Sequence, residues 1–294
     1  MGFLKKFTKQ EISWMMYDWA NSAHSVIVVT ILPIFFDTVA GYTADSVSSM
    51  STWGFATSLA MAIVALSAPF LGVFGDIRGM RKKLFRFFML LGVAACAGMA
   101  FTPGMDFTSG PVAAGKVASL ILVLYIVSVI GFDASAIYYD AFLTDVTTED
   151  RMDKVSTMGY GLGYIGGSTI PLLIFLIMNL VGVPMLTCLA FVFGLTAVWW
   201  LAFSLPLLKN CEQTSGKPYE KGDVARSIKG VGTTIKEIIA NKPMLIYILS
   251  YFFYIDGVHT VISMATTYGT NLGLDSTGMM LALLLVQILG LPFC

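Results

Sequence analysis

YDWANSAHS, residues 17–25, lies inside the first long apolar run of the sequence, which extends from about Trp14 to Phe36. At 100° per residue, the polar side chains of this stretch fall within an arc of about 160° on a helix. They are Tyr17, Asp18, Asn21, Ser22, His24 and Ser25. Lipid offers such groups no hydrogen-bond partners. The stretch therefore predicts a spanning helix whose polar side faces a bundle interior or a water-filled cavity.

The composition indicates a membrane protein. Hydrophobic residues make up 56% of the 294 residues, charged residues 12%, and the mean hydropathy is +0.78. Runs that can cross about 30 Å of hydrocarbon as helices lie at 14–36, 52–75, 84–102, 115–140, 157–181, 184–206, 243–268 and 277–294. We therefore predict an all-α integral membrane protein. The first run is a permanent span, because it is too long for a signal peptide and carries Asp18.

The basic residues predict the orientation. Of the 18 Lys and Arg residues, all but Lys116 lie before span 1 or around the connections that follow spans 2, 4 and 6. These positions share one side of the membrane, and the side rich in Lys and Arg is the cytoplasmic one. We expect a cytoplasmic N-terminus. If the source is bacterial, we expect the protein to lie in the inner (plasma) membrane. The net charge of zero gives no reason to expect a nucleic-acid partner.

The connection after span 2, GVFGDIRGMRKK at residues 72–83, crowds one carboxylate among cations. Asp76 could pair with them or cap a helix, or it could be a solvated acid in a basic loop. The stretch resembles the major facilitator superfamily signature G-x-x-x-D-[RK]-x-G-[RK]-[RK]. Gly72, Asp76 and Gly79 match the signature. Its final basic pair is shifted by one position, to Arg81 and Lys82. The resemblance implies a gating loop.

Span 4 carries Asp133 and Asp140 seven residues apart, on one helical face. Asp140 is close enough to the helix end to be solvated. A charged carboxylate at Asp133 is less favourable, because a buried carboxylate either pairs with another group or binds a proton. A proton-carrying role and a structural hydrogen bond are both open.

Span 5 opens with small residues, and a G-x-G-x-x-G pattern begins at Gly161. A dinucleotide site is excluded, because no strand precedes the pattern and the stretch lies in a spanning helix. Small residues let two helices approach closely and slide. The expected packing positions are Gly159, Gly163, Gly166 and Gly167.

A polar segment, residues 207–242, follows the sixth span. In it, apolar residues at helical spacing oppose Arg226, Lys229 and Lys236, which predicts a basic amphipathic helix on the inner membrane surface. The apolar set is Val224, Ile228, Val231, Ile235, Ile238 and Ile239. We expect a six-helix part at 1–206, this linker at 207–242, and the start of a second part at 243–294.

Span 7 repeats a piece of span 1. His24-Ser25-Val26-Ile27 returns as His259-Thr260-Val261-Ile262, and Asn21 then aligns with Asp256. The chain has only these two histidines. A parallel repeat would place the second copy just after a central linker. We therefore expect spans 1 and 7 to face each other across a central cavity.

Four motifs in chain order point to a narrower family. Y-D-W-A-N-S-A-H-S at 17–25, Y-D-A-F-L-T-D at 139–145, G-Y-I-G-G at 163–167 and D-G-V-H-T at 256–260 resemble motifs of the autophagy-related protein 22 group, also called the UMF1 group. That group belongs to the major facilitator superfamily. The resemblance implies a twelve-helix transporter and, for the eukaryotic member, amino-acid efflux from the vacuole. Because the sequence stops inside span 8, we expect a C-terminally truncated fragment.

These observations predict a secondary transporter of a small polar solute, with amino-acid efflux as one candidate and proton coupling through Asp and His as a hypothesis. The predicted pathway residues are Asp18, Asn21, His24, Asp133, Asp256, His259 and Thr260. Each could equally form a hydrogen bond to a neighbouring helix. The competing classes are an intramembrane Asp/His enzyme, for which no H-E-x-x-H or nucleophile elbow is present, and a receptor or assembly protein.

The expected partners are the solute, protons and the lipid bilayer, and the complete protein is expected to be a monomer. No cofactor and no metal are expected. The four cysteines, Cys96, Cys188, Cys211 and Cys294, lack metal-ligand spacing and are interpreted as packing residues.

Overall fold

A computed structural model describes residues 6–43, 48–216, 218 and 222–290, and its regular structure in these ranges is helical. The helices are α1 Lys9–Ala40, α2 Ser49–Gly75, α3 Arg81–Met99, α4 Pro111–Val146, α5 Met152–Leu162, α6 Thr169–Leu180, α7 Met185–Asn210, α8 Asp223–Ala240, α9 Lys242–Asn271 and α10 Ser276–Gly290. Short 3₁₀ turns lie at Thr102–Gly104 and Glu149–Arg151. A π-helical segment, Gly163–Ser168, joins α5 to α6.

Seven helical stretches in the described ranges are long and apolar enough to cross a membrane, and they correspond to the first seven predicted spans. The fifth consists of α5, the π-helical segment and α6. The eighth predicted span corresponds to the shorter apolar helix α10, and residues 291–294 of that span lie outside the described residues. The predicted all-α membrane architecture is confirmed.

α1 begins at a capping box. The Thr8 hydroxyl accepts a hydrogen bond from the Glu11 backbone N–H at 3.1 Å, and the Thr8 N–H donates to Glu11 Oε2 at 2.7 Å. The helix then continues for 32 residues with Pro33 inside it. At 1.5 Å per residue it is about 48 Å long. It therefore exceeds the hydrocarbon thickness of about 30 Å, and its first turns lie at the bilayer surface.

α1 to α7 pack around two apolar clusters, one at each end of the bundle. We call the end that carries Arg81, Arg151 and Lys209 the basic end, and the opposite end the far end. The largest buried side chains of the basic-end cluster are Tyr17, Phe85, Tyr138, Phe142 and Trp200. Those of the far-end cluster include Ile31, Phe35, Trp53, Phe175 and Phe193. Buried aromatic rings thus fix both ends of this six-span part.

α9 and α10 contact the six-span part at the far end. Met280 belongs to the far-end cluster, and Met264 and Leu284 pack against it. The Met264 methyl lies 3.5 Å from the position that a Cβ on Gly54 would take. Nearer the basic end, α9 side chains such as Tyr247 are exposed. The division of the chain at residues 206 and 242 stays a prediction.

The cysteines in the described ranges agree with a packing role, since Cys96, Cys188 and Cys211 are buried and unbridged. Cys294 lies outside the described residues, as do Lys5, Lys217 and Lys221 of the basic pattern. The side chains of Val224, Arg226 and Ile228 on α8 also lie outside the described part.

Candidate functional site

The polar side chains of residues 17–25 divide between two sides of α1. Asp18 and Ser22 are partly exposed and Ser25 is exposed. These three follow one another at spacings of four and three residues, so they form one stripe along the helix. Asn21 and His24 are only 7% and 2% exposed. The open side of α1 is therefore the stripe of Asp18, Ser22 and Ser25.

Asp18 is held by α4 and α5. The Tyr139 hydroxyl on α4 donates a hydrogen bond to Asp18 Oδ2 at 2.8 Å. On the α5 side, a Cβ on Gly159 would lie 2.5 Å from the same oxygen. Any larger residue at position 159 would displace the carboxylate. Asp18 lies about 14 Å along the helix axis from Lys9, at 1.5 Å per residue, so it sits within the spanning segment.

α4 brings two more carboxylates to this region. Asp140 is exposed and directly follows Tyr139, whose hydroxyl holds Asp18. Asp133, two turns earlier on the same face, is partly exposed. In the part of the chain that the structure describes, no hydrogen bond reaches the Asp133 carboxylate. The structural hydrogen bond considered for Asp133 is therefore not found among the described residues.

His24 faces the interior of the six-span part. Its ring stacks on Phe132 with centroids 4.9 Å apart and lies 5.1 Å from the Trp200 ring. Neither ring nitrogen has a hydrogen-bond partner among the described residues. His24 therefore does not lie on the open side of α1, and its predicted place in the pathway stays a prediction. α1 is packed on most sides, so only Asp18, Ser22 and Ser25 of its polar arc lie on its open side.

The predicted pathway residues of α9 are exposed. Asp256, His259 and Thr260 all have exposed side chains. Ser263, one turn further, donates to the His259 carbonyl at 2.8 Å. Within the described ranges, no hydrogen bond joins Asp256 or His259 to α1. His24 is thus buried, whereas His259 is exposed.

The predicted glycines of span 5 form the contact with α1. A Cβ on Gly163 would lie 2.6 Å from Ser22 Oγ, and one on Gly167 would lie 2.5 Å from the Trp19 carbonyl oxygen. A Cβ on Gly166 would overlap the Trp19 ring. The π-helical segment passes through this contact, and Thr169 donates to the Tyr164 carbonyl five residues earlier at 2.6 Å. The helices are therefore fitted closely to each other, which leaves little room for the sliding suggested by the small residues.

The basic-end hairpin is organised by Arg81, which is 5% exposed. Its guanidinium forms a short ion pair with Asp145 at the end of α4 and donates to the Ala141 carbonyl at 2.9 Å. Asp76 is only a distant partner, with 4.0 Å between Arg81 Nη2 and Asp76 Oδ1 and 84% of the Asp76 side chain exposed. The pairing considered for Asp76 is therefore made chiefly by Asp145. Lys82 is partly exposed, and Gly79 has a φ of +80°.

The start of the linker covers this hairpin. Gln213 Oε1 accepts the backbone N–H of Gly79 at 2.8 Å, and Gln213 Nε2 donates to the Gly75 carbonyl at 3.0 Å. Asp145 Oδ1 accepts the backbone N–H groups of Thr214 at 3.0 Å and Ser215 at 2.9 Å. The linker therefore ties the hairpin to the end of α4.

Comparison with known proteins then places the chain. The family described as vacuole effluxer Atg22 like matches residues 7–151 and 144–292. The chain belongs to this Atg22-like family. It is 39% identical, over 298 aligned positions, to the MFS-type transporter YxiO of Bacillus subtilis, covering 99% of this chain and 67% of that protein. It is 26% identical over 148 positions to autophagy-related protein 22-1 of Penicillium rubens, covering 47% of this chain and 25% of that protein.

The fold of this Atg22-like chain is that of a major facilitator. The solved D-xylose-proton symporter superimposes with a TM-score of 0.60 at 14% identity, covering 97% of this chain and 66% of the symporter. The chain thus spans about two thirds of the length of the Bacillus subtilis transporter and of the symporter. The family, the Bacillus subtilis protein and the symporter are named for transport and not for catalysis, which agrees with the expected non-enzymatic class.

Two of the other three Atg22-like motifs, at 139–145 and 163–167, contact the 17–25 motif of α1. Tyr139 and Asp145, the two ends of the 139–145 motif, hold Asp18 and Arg81 respectively. Gly163 and Gly167, the ends of the 163–167 motif, pack on the 17–25 motif of α1. Tyr139 and Asp145 were not selected as site residues from the sequence. Both residues lie at the ends of the 139–145 motif, and this position in the sequence could have indicated them.

Proposed function

We propose that the protein is a secondary active transporter that moves a small polar solute by alternating access, with amino acids as the first solutes to test and protons as the coupling ion. The observation that carries the proposal is the partly exposed Asp18 carboxylate, which accepts a hydrogen bond from Tyr139 within a spanning helix. Carboxylates are costly at this depth and mark solute or ion pathways. Membership of the Atg22-like family supports the same function.

The solute pathway that we propose follows the open sides of α1, α4 and α9. Its residues are Asp18, Asp133, Asp256, His259 and Thr260. Asn21 is left out, because it is only 7% exposed. His24 is left out, because its ring is enclosed between Phe132 and Trp200. Ser25 is added, because it is exposed on the Asp18 stripe.

Proton coupling is supported by an imbalance of charge along the spans. Asp18, Asp133 and Asp256 lie well inside candidate spans, whereas Lys and Arg residues of the described spans lie near their ends. A carboxylate without a basic partner can be neutralised by a proton or by a cationic group of the solute. We propose Asp18 as the principal proton-binding group.

Alternating access is supported by the way the two parts meet. Met264 and Met280 pack at the far end, while α9 side chains such as Tyr247 are exposed nearer the basic end. We propose that this arrangement is open at the basic end and closed at the far end. The gating loop is then the hairpin with Gly72, Asp76, Gly79, Arg81 and Lys82, which must rearrange when the basic end closes.

We further propose that the basic end faces the cytoplasm of the cell, that the protein lies in the plasma membrane, and that it acts as a monomer. The clustering of Lys and Arg at that end supports the orientation. A membrane-impermeant thiol reagent tests it. A cysteine at the exposed Lys83 should react in inverted vesicles and stay protected in intact cells, and one at the exposed Asp106 should do the opposite.

Solute flux tests the function itself. The purified protein is reconstituted in vesicles, and uptake of radiolabelled amino acids is measured with and without a pH gradient. The proposal expects uptake that depends on the gradient. Solute binding without flux would favour a receptor, and chemical conversion of the solute would favour an intramembrane enzyme. Either result would overturn the proposal.

A further inference from the structure

α8 carries an apolar strip that the described residues cover only in part. Ile235 and Ile239 are 50% and 61% exposed, whereas Val231 and Ile238 are mostly covered, and α8 contacts α2. At 100° per residue these side chains fall within an arc of about 100°. A strip of this kind on a helix is unfavourable in water, where it leaves apolar area exposed.

Exposed lysines lie along one border of the strip. Lys236 and Lys229 follow Ile239 around the helix, at about 60° and 80° from it, whereas Glu237 lies nearly opposite the strip. All three charged side chains are exposed. In the described ranges neither lysine takes part in an ion pair. Long lysine side chains beside an apolar strip can reach headgroups while the strip enters the lipid.

The position of α8 along the bilayer normal is fixed by Asn241. This residue is both the C-cap of α8 and the N-cap of α9, with an extended backbone at φ −92° and ψ 90°. α9 is a candidate span that begins at Lys242. With a single residue between the two helices, Ile238 and Ile239 must lie where α9 enters the bilayer. The C-terminal end of the strip is therefore at the level of the headgroups.

We propose that α8 binds a bilayer surface that carries anionic headgroups. Ile235 and Ile239 enter the boundary of the acyl region, and Lys229, Lys236 and Lys242 contact lipid phosphates. The occupant is lipid because the strip lies at headgroup level beside a span and because its bordering charges are positive. This inference does not depend on the solute or on transport.

The anchored helix also constrains the linker. Gln213 to Ser215 are hydrogen-bonded to the hairpin and to Asp145, and α8 begins at Asp223. A short connection therefore joins Ser215, which lies on the proposed gating loop, to α8, which anionic lipid would hold. Lipid charge is expected to influence how readily that loop rearranges.

Nitroxide labels on the full chain test the proposal. Single cysteines replace Ile235 and Ile239 on the strip, and Thr233 and Glu237 away from it, in a Cys294→Ser background; the unsubstituted background reports labelling of buried cysteines. Accessibility to oxygen and to a water-soluble nickel chelate is measured in phosphatidylcholine vesicles with and without about one third phosphatidylglycerol. We expect positions 235 and 239 to be accessible to oxygen and shielded from nickel in the anionic vesicles, and positions 233 and 237 to show the reverse.

Charge variants test the anionic requirement. Each of Lys229→Gln and Lys236→Gln should lower the ratio of lipid-buried to water-exposed label at position 239 about fivefold, since each lysine near an anionic surface contributes about 1 kcal/mol. The matched control Glu237→Gln removes a charge of the opposite sign and should not lower it. Equal nickel accessibility at all four label positions would overturn the proposal. So would low accessibility of position 239 to both reagents, which indicates a covering protein segment or a second copy, or equal burial with and without phosphatidylglycerol.

Discussion

The Glu11 carboxylate and the Arg151 guanidinium form a two-point ion pair, with Arg151 Nε 2.8 Å from Oε1 and Nη2 2.9 Å from Oε2. Thr147 donates to Glu11 Oε1 at 2.7 Å, and Glu11 is 1% exposed. The pair joins the start of α1 to the turn before α5. It therefore clamps, at the basic end, the same two helices that the span 5 glycines bring together.

Removing the cation of this pair should destabilise the protein. Arg151→Gln leaves the Glu11 carboxylate buried without its charged donor, and we expect the free energy of unfolding to fall by about 2 kcal/mol. The control Lys83→Gln, at an exposed position, should change it by less than about 0.5 kcal/mol. Thermal unfolding in detergent measures both. Equal stability of the two variants would contradict a role for the pair as a clamp.

The contact between α1 and span 5 can be tested with one methyl group. Gly167→Ala places a Cβ 2.5 Å from the Trp19 carbonyl oxygen, so we expect a loss of about 1–3 kcal/mol by overpacking. Gly257→Ala on α9, where a Cβ would meet no atom within 4 Å, should be neutral or stabilising by up to about 1 kcal/mol. Stability of both variants is compared by the same unfolding assay. If Gly167→Ala is as stable as Gly257→Ala, the close approach is wrong.

The hydroxyl that holds Asp18 should matter for transport more than for folding. Tyr139→Phe removes the hydrogen bond to Asp18 but keeps a ring that can stack on Trp14, where the centroids are 4.3 Å apart. We expect transport to slow about tenfold, as for the loss of one charge-assisted hydrogen bond. The control is Tyr138→Phe, whose hydroxyl donates to the Leu71 carbonyl at 3.1 Å. Similar initial rates for the two variants would argue against Tyr139 as a positioning residue.

The acid that matters at the gate should be Asp145 and not Asp76. Asp145 pairs with the buried Arg81 and accepts two linker N–H groups, whereas Asp76 is largely exposed. Asp145→Asn should therefore impair transport strongly and increase proteolysis of the linker. Asp76→Asn should have a much smaller effect on both. The reverse order, measured in the same flux and proteolysis assays, would mean that Asp76 is the partner that acts during gating.

His24 provides a test of the division between the two sides of α1. Its ring is buried against Phe132 and Trp200 with neither nitrogen bonded among the described residues. A buried polar group without a partner costs about 1–3 kcal/mol. His24→Leu should therefore keep transport and leave stability unchanged or higher. A folded His24→Leu protein that no longer transports would return His24 to the pathway.

The membrane class and the spans could be predicted from the sequence, because long apolar runs and the capping residues Thr8 and Glu11 act over a few turns of one helix. The span 5 glycines could also be selected, since small residues in a spanning helix have one common use, close packing. Span 8 was longer in the prediction than helix α10, whose final predicted residues lie beyond the described part.

The site was harder to predict, because its contacts join residues that are distant in the sequence. Arg81 and Asp145 are 64 positions apart, and Glu11 and Arg151 are 140 apart. Helix rotation was a second difficulty. Most of α1 is buried on all sides, and of its predicted polar arc only Asp18, Ser22 and Ser25 reach the open side to a substantial extent. Asn21 and His24 lie in the same arc and point into packed surroundings.

We propose that Asp18 carries the proton that is coupled to solute movement. Solute-dependent proton entry into vesicles, followed with an internal pH dye, measures this directly for the unsubstituted protein, for Asp18→Asn and for Asp106→Asn, which changes an exposed acid outside the spans. We expect proton entry with the unsubstituted protein and with Asp106→Asn, and none with a folded Asp18→Asn protein. Unchanged proton entry in Asp18→Asn would contradict it.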